Sequence, residues 1–239
     1  MSQQPRPTAE NRLLAALPRD EYERLAPRLE PVRLELSETL FRPGESLGYV
    51  FFPTTAVISL LTDLEDGGGL EVGVVGREGV AGVSAVLGAE ESKVATAQQA
   101  GAALRARADD LREEFTRGGA LQPLLLRYVH ALMSQISQSV VCNVRHRIEA
   151  RLARWLLMMH DRACSDELRL THEFVANMLG IRRAGVSEAA ERLKDARIID
   201  YTRGAIRILD RPGLEGLACE CYQTVKVEFD RLYAPPPLP

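Results

Sequence analysis

Apolar side chains recur along this chain with two periods, and the switches between them mark its parts. Leu13, Leu14 and Leu17, then Tyr22, Leu25 and Leu29, follow the three-and-four spacing of amphipathic helices, interrupted at Pro18. From Pro31 to about Arg107 short β-prone runs take over, at 48–52, 56–61 and 70–75. Pro43-Gly44, Pro53-Thr54-Thr55, Asp66-Gly67-Gly68-Gly69 and Gly76 punctuate them. Short strands with turn signals at this interval predict a compact antiparallel barrel or roll, with a hairpin tip at 63–69.

Helical spacing returns at 109–115 and then over 121–141, the longest such stretch. Within it Leu125, Val129, Leu132, Ile136 and Ser139 keep a 4-3-4-3 rhythm, the seam of a coiled coil, and Leu121, Leu124 and Tyr128 widen that face at its start. This face either buries itself against its own domain or forms a dimer seam of Leu125, Val129, Leu132 and Ile136. The seam is the preferred reading because it would join two copies of the C-terminal half. Asn143 is a good N-cap, so a new helix with Ile148, Leu152, Trp155, Leu156 and Met159 on its apolar face is predicted after it, with Asn143 as a hinge. Leu168-Arg169-Leu170 reads as a short strand. Ile198-Ile199-Asp200-Tyr201 and Ala205-Ile206-Arg207-Ile208-Leu209 read as a hairpin around Thr202-Arg203-Gly204. One last helix is predicted over 213–233, then a Pro-rich tail without regular structure.

The segment 171–194 carries the most specific pattern. Thr171 can cap a first short helix whose buried side is Phe174, Val175, Met178 and Leu179, and Gly180 permits the positive φ of a sharp exit. Ile181 and Val186 bracket the turn as a plug, and Ala189, Ala190 and Leu193 face inward from a second helix. That leaves Arg182, Arg183, Gly185, Ser187 and Glu188 facing outward. Two helices so joined form a helix-turn-helix, whose second helix enters the DNA major groove with its N-terminal residues at base edges. Arg183 suits a bidentate contact to guanine O6 and N7, and Ser187 a phosphate or a base edge. Thr171 and Arg203, the latter at the hairpin tip, would touch the DNA backbone on either side and set register. A generic helical hairpin has the same spacing, but the plug, the flanking hairpin wing and the dimer-type helix together favour DNA.

Charge sharpens this reading. The chain has 239 residues and a net charge of −3, which on its face argues against nucleic acid. Yet from Arg145 to Arg211 it carries 14 Lys/Arg against 10 Asp/Glu, a local +4, leaving −7 on the remainder. A basic part on an acidic chain is what a DNA-binding domain attached to a non-binding one would show.

Candidate chemistry beyond this is sparse. Cys142, Cys164, Cys219 and Cys221 form no CxxC pair and read as reduced structural thiols; Cys219-Glu220-Cys221 could hold metal, but no second pair or His cluster accompanies it in sequence. His130, His146, His160 and His172 make no metal-ligand spacing, and no catalytic triad, phosphate loop or dinucleotide fingerprint occurs. Hence no enzyme activity, no metal and no certain cofactor are expected. No stretch reaches the roughly 20 apolar residues of a membrane helix, and the polar N-terminus lacks the apolar core of a signal peptide, so a cytoplasmic protein is expected.

The whole arrangement resembles the Crp/Fnr family of bacterial transcription regulators, over nearly the full chain. The similarity lies in 170–180 (first helix and turn), in 198–204 (wing), and in Gly180-Ile181-Arg182-Arg183 followed by Ala218-Cys219-Glu220-Cys221-Tyr222, which looks like one recurrent branch. The resemblance implies an α+β fold: an N-terminal antiparallel β-roll of cyclic-nucleotide-binding type, a long dimerisation helix and a C-terminal winged helix-turn-helix. The expected divisions are 1–118, 119–142, 143–222 and 223–239, the last holding a helix end and the tail. It also implies a homodimer on near-palindromic double-stranded DNA, contact with RNA polymerase, and a small-molecule effector in the roll. Gly82, Val83, Ser84 and Lys93, with Tyr128, are the candidate pocket residues. Departures matter too. Ala184 stands where members often have Glu, and Glu188 where they often have Arg, so Arg183 is the remaining base reader. The Gly-Glu and Arg-Ser pairs that hold cyclic AMP correspond to Gly82-Val83-Ser84 and Glu91-Ser92-Lys93, which argues against cyclic AMP in the usual mode. Lys93 is a partial substitute for the missing arginine, which keeps another nucleotide open, as is a roll that binds nothing. The N-terminal cysteine cluster of the iron–sulfur members is absent. The competing reading is a ligand-binding signalling module whose helix-turn-helix serves protein contacts.

Overall fold

Two short helices, α1 (Arg12–Ala15) and α2 (Arg19–Leu25), lead into a run of strands: β1 (Glu30–Leu34), β2 (Thr39–Phe41), β3 (Tyr49–Pro53), β4 (Val57–Asp63) and β5 (Gly69–Val75). After α3 (Ser84–Leu87) come β6 (Val94–Gln99), β7 (Gly101–Arg107) and α4 (Ala108–Arg117). The long α5 (Leu121–Arg145) and α6 (Ile148–Ala163) follow, then β8 (Glu167–Leu168), α7 (His172–Leu179), α8 (Arg183–Asp195), β9 (Ile199–Thr202) and β10 (Ala205–Ile208). The chain closes with α9 (Arg211–Leu217) and α10 (Cys221–Leu232). This is a computed structural model, and it describes residues 10–63, 69–163, 165–202 and 204–233. The tip of the β4–β5 hairpin, Cys164, Arg203 and the Pro-rich tail lie outside them.

The predicted roll is present as two antiparallel sheets, β1-β7-β3 and β2-β6-β4-β5, whose inner faces share one core through Val50, Phe52, Ile58, Val75, Ala97 and Ala106. A second core joins α6, α7, α8 and the three-stranded sheet β8-β10-β9 around Trp155, Leu156, Val175, Val186, Leu193 and Ile206. No helix among the described residues is long and apolar enough to cross a membrane.

Three sequence expectations change at α5 and beyond. First, Leu125 and Leu132 are buried in the chain's own roll core, together with Leu121, Leu124 and Tyr128, so they are not free to form a seam. Val129 is half-buried, and Ile136 is half-buried against that same core. The helix has a second apolar row: Leu126, Met133, Val140 and Val144 remain 50%, 61%, 62% and 77% exposed, at 7-7-4 spacing. Second, Asn143 does not cap α6. It lies inside α5, where its Oδ1 accepts from Arg151 Nη2 at 2.9 Å. The backbone becomes extended at His146 instead, whose N–H still closes the α5 ladder on the Cys142 carbonyl. Third, the single last helix is two. Gly213 and Gly216 weaken α9 by up to about 1 kcal/mol each relative to Ala, and it stops at Leu217. The chain then restarts as α10, whose Val225, Phe229 and Leu232 pack into the roll core rather than onto the winged helix-turn-helix.

Polar struts join the roll to α5 and α6. Gln135 on α5 accepts from Val74 N–H (2.6 Å) and donates to Val74 C=O (3.2 Å). Trp155 Nε1 on α6 donates to the Glu71 carboxylate of β5 at 2.7 Å, and Arg162 Nε donates to Glu78 at 2.7 Å. Gly76 makes the last pairing feasible: a Cβ there would fall 2.6 Å from Arg162 Cγ.

Candidate nucleic-acid interface

The helix-turn-helix forms as the residue pattern predicts. Thr171 Oγ1 accepts the Phe174 N–H at 3.1 Å, capping α7. Gly180 ends it in the left-handed region (φ 62°, ψ 42°), and the Ile181 N–H closes the turn on the Ala176 carbonyl at 3.0 Å. Val175, Leu179, Val186, Ala189 and Leu193 are buried and set the crossing of α7 and α8. The wing follows, with β9 and β10 in register from Ala205↔Thr202 to Ile208↔Ile199.

Arg182 and Arg183 stand exposed at the opening of α8, where unpaired backbone N–H groups add positive potential. The Arg183 Nε lies 3.8 Å from Glu173, with both side chains largely in solvent, a pairing worth at most about 1 kcal/mol. Arg183 is thus available to a ligand. Thr171 and Glu188 are also exposed. Two expected contact residues sit differently. Gly185 faces α6, where a Cβ would come within 3.0 Å of Ile148 Cδ1. Ser187 is half-buried, its Oγ 3.1 Å from His172 Nδ1. The His172 ring packs edge-on to Tyr201 of the wing at 4.7 Å, and burial, then the nearby Arg183 charge, lower its pKa and keep it neutral. Arg203 lies outside the described residues.

The same turn borders a cleft of about 760 Å³ lined by Leu61 and Leu70 of the β4–β5 hairpin and by Arg151, Gly180 and Arg182. A Cβ on Gly180 would come 2.6 Å from Leu70 Cδ1, so the roll touches the turn itself.

In the roll, two of the expected pocket residues, Ser84 and Lys93, meet around a carboxylate. Glu91 accepts from Ser84 Oγ (2.8 Å) and from the backbone N–H groups of Ser92 (2.9 Å) and Lys93 (3.1 Å). Donors that could hold a phosphate are thereby occupied by the protein's own acid. Gly82 takes φ 93° beside Leu47 and Val50, and Val83 is half-buried. Tyr128 does not line an opening: it is fully buried and its hydroxyl donates to the Val80 carbonyl at 3.0 Å.

Sequence reading missed the polar centre under the interface. Glu71 is buried, accepts from Trp155 and from Ser59 Oγ (2.6 Å), and is pushed up to about 7 by desolvation, against these hydrogen bonds and the Arg154 charge. Ser59 also contacts the Gln98 amide oxygen, while Gln98 Nε2 finds no partner among the described residues. Turning that amide over lets Gln98 donate to Ser59 and Ser59 to Glu71. The only available signal was a carboxylate, Glu71, in an otherwise apolar strand.

Residues 150–217 match the family model of Crp-like helix-turn-helix domains. The transcriptional regulatory protein btr of Bordetella pertussis is 27% identical over 220 residues, covering 84% of this chain and 86% of that protein. Among solved structures, FixK2 from Bradyrhizobium japonicum superposes with a TM-score of 0.69 at 18% identity, over 80% of this chain and 98% of that one. A CRP-family transcriptional regulator of Thermus thermophilus reaches 0.64 at 20% identity, over 78% and 96%. The likeness in fold runs through roll, long helix and winged helix-turn-helix alike, and residues 150–217 form a Crp-like helix-turn-helix domain.

Proposed function

We propose that the protein acts as a homodimer that binds near-palindromic double-stranded DNA in the cytoplasm and regulates transcription there, in contact with RNA polymerase. The observation that carries this reading is the exposed Arg182–Arg183 pair at the N-terminus of α8, held by a capped first helix, a left-handed glycine turn and a flanking wing. Arg183 reads a guanine; Arg182, Thr171 and Arg203 position the DNA backbone. Ser187 acts through His172 or takes up a phosphate once that hydrogen bond is exchanged. Support for the dimer is the second apolar row on α5, where each large side chain would gain about 1–2 kcal/mol on burial. The roll takes a small effector other than cyclic AMP in the usual mode, consistent with Glu91 occupying the anion donors. Such an effector acts by favouring one of two placements of the roll against the helix-turn-helix, which requires different affinity for the two.

A mobility-shift series on genomic fragments at increasing salt tests this. Selective retention of some fragments, weakening steeply with salt, is expected. Equal or absent binding across all fragments would turn the reading toward a module whose helix-turn-helix contacts protein.

A further inference from the structure

Cys142, Cys219 and Cys221 form a small buried cluster of their own, separate from the two large cores and 77 residues apart in the chain across Cys142 and Cys219. The structure brings His146 to them. This corrects the expectation that the Cys219/Cys221 pair stands without further ligands: Cys142 on the last turn of α5 and His146, which caps that helix, both reach it. The Sγ atoms of the three cysteines and a ring nitrogen of His146 all lie within 4.8 Å of one another.

The individual spacings are informative. A tetrahedral zinc ion with Zn–S of about 2.3 Å and Zn–N of about 2.0–2.1 Å sets S···S edges of about 3.8 Å and S···N edges of about 3.6 Å. Cys142 Sγ and Cys219 Sγ are 3.6 Å apart, and Cys221 Sγ and His146 Nδ1 are 3.5 Å apart. The surroundings match a metal ligand set as well. His146 presents Nδ1 to the cluster while Nε2 lies 3.2 Å from the Glu220 carboxylate, the arrangement that fixes the tautomer of a ligating imidazole. Gln138 Nε2 donates to Cys221 Sγ at 3.1 Å, a hydrogen bond that favours thiolate. Three thiolates and one neutral imidazole around a divalent cation carry a net charge of −1. Two buried guanidiniums, Arg151 and Arg154, lie within electrostatic range of the Cys142 thiol, and Arg154 Nε and Nη1 find no hydrogen-bond partner among the described residues.

We propose that Cys142, His146, Cys219 and Cys221 form a closed, structural zinc(II) site. Sulfur and imidazole in a tetrahedral set select zinc over hard cations, and four protein ligands that complete the tetrahedron assign it a structural rather than a catalytic role. The ion ties the last turn of α5 to the α9–α10 junction, on either side of the extended backbone at His146. It thereby sets the angle at which the DNA-binding half leaves the long helix.

The full-length chain, purified without a polyhistidine tag or chelator, is expected to carry one zinc per chain by mass spectrometry of metals. Cobalt(II) exchanged into it should give the visible bands of tetrahedral cobalt and a sulfur charge-transfer band that saturates at one equivalent. Cys142→Ser and Cys219→Ser should lose the zinc, whereas Cys164→Ser should keep it. Because a ligand variant can fail by misfolding, the wild-type cobalt titration stands as the independent readout. Folded, reduced wild-type protein that gives no charge-transfer band overturns the proposal. So does a metal-free Cys142–Cys219 disulfide in the protein as isolated, iron with iron–sulfur absorption in place of zinc, or full zinc retention in both ligand variants.

Discussion

Arg183 owes its availability to what it lacks. Its only ion-pair partner among the described residues is Glu173 at 3.8 Å, and both are surrounded by water, so a guanine can replace that partner at little cost. Arg183→Ala is expected to weaken binding to a specific site by about 1–3 kcal/mol and to relax one base position per half-site, measured by competition against single-base variants. Glu71 makes a different kind of prediction. Its folded pKa of about 7 lies above the value of 4.5 for an unburied carboxyl, so the folded state holds a proton that the unfolded state has released between those values. Its contribution to stability is therefore fully present below pH 4.5, falls as pH rises through 4.5 to 7, and is lost above that window. The difference is on the order of 3 kcal/mol. Glu71→Gln should melt higher than the parent at pH 8, with the gap closing toward pH 5; equal melting at both would show that Glu71 titrates normally. Neither property is visible in sequence. Residue spacing identified Arg183 as outward-facing, but the burial of Glu71 depends on Trp155, 84 residues away.

At the scale of elements, α5 shows what periodicity can and cannot decide. A helix with apolar rows on two faces has two plausible partners, and the 4-3-4-3 row at Leu125 and Leu132 turned out to belong to the chain's own roll. The row beside it, Leu126, Met133, Val140 and Val144, is the exposed one. Met133→Glu and Val140→Glu, both at exposed positions, are expected to leave the monomer folded but shift it from dimer to monomer in sedimentation at micromolar concentration. A dimer that persists in both would place the interface elsewhere. The winged helix-turn-helix was legible because its signals are local: Thr171, Gly180 and the inward rows on α7 and α8 lie within one short segment. So were three of the strands, 48–52, 56–61 and 70–75, with their clear apolar runs. The strands β6 and β7 were not singled out, since Ala, Gln and Arg dominate them and they owe their place to pairing with β4, β2, β1 and β3. Asn143 misled because a residue suited to capping is also tolerated inside a helix when another side chain, here Arg151, takes its oxygen.

In the whole molecule, the roll and the helix-turn-helix half are joined by side chains rather than by the covalent connection alone. Trp155–Glu71 and Arg162–Glu78 bridge them, and Leu70 reaches the Gly180 turn. The chain's single tryptophan is Trp155, which makes its emission a report on one of these bridges. Emission is expected to change between pH 6 and pH 8 as Glu71 ionises, and Glu71→Gln should remove that change; a pH response that survives in the variant would belong to another group. Whether the two α8 helices of a dimer read DNA through Arg183 is decided by selecting the full-length protein, and Arg183→Ala beside it, against a pool of random duplexes. The parent is expected to enrich a two-fold symmetric site with half-sites about 34–36 Å apart, each with a guanine, and the variant to lose preference at that guanine alone. Enrichment of no common sequence by the parent, or of the same sequence to the same degree by both proteins, would contradict base reading by Arg183.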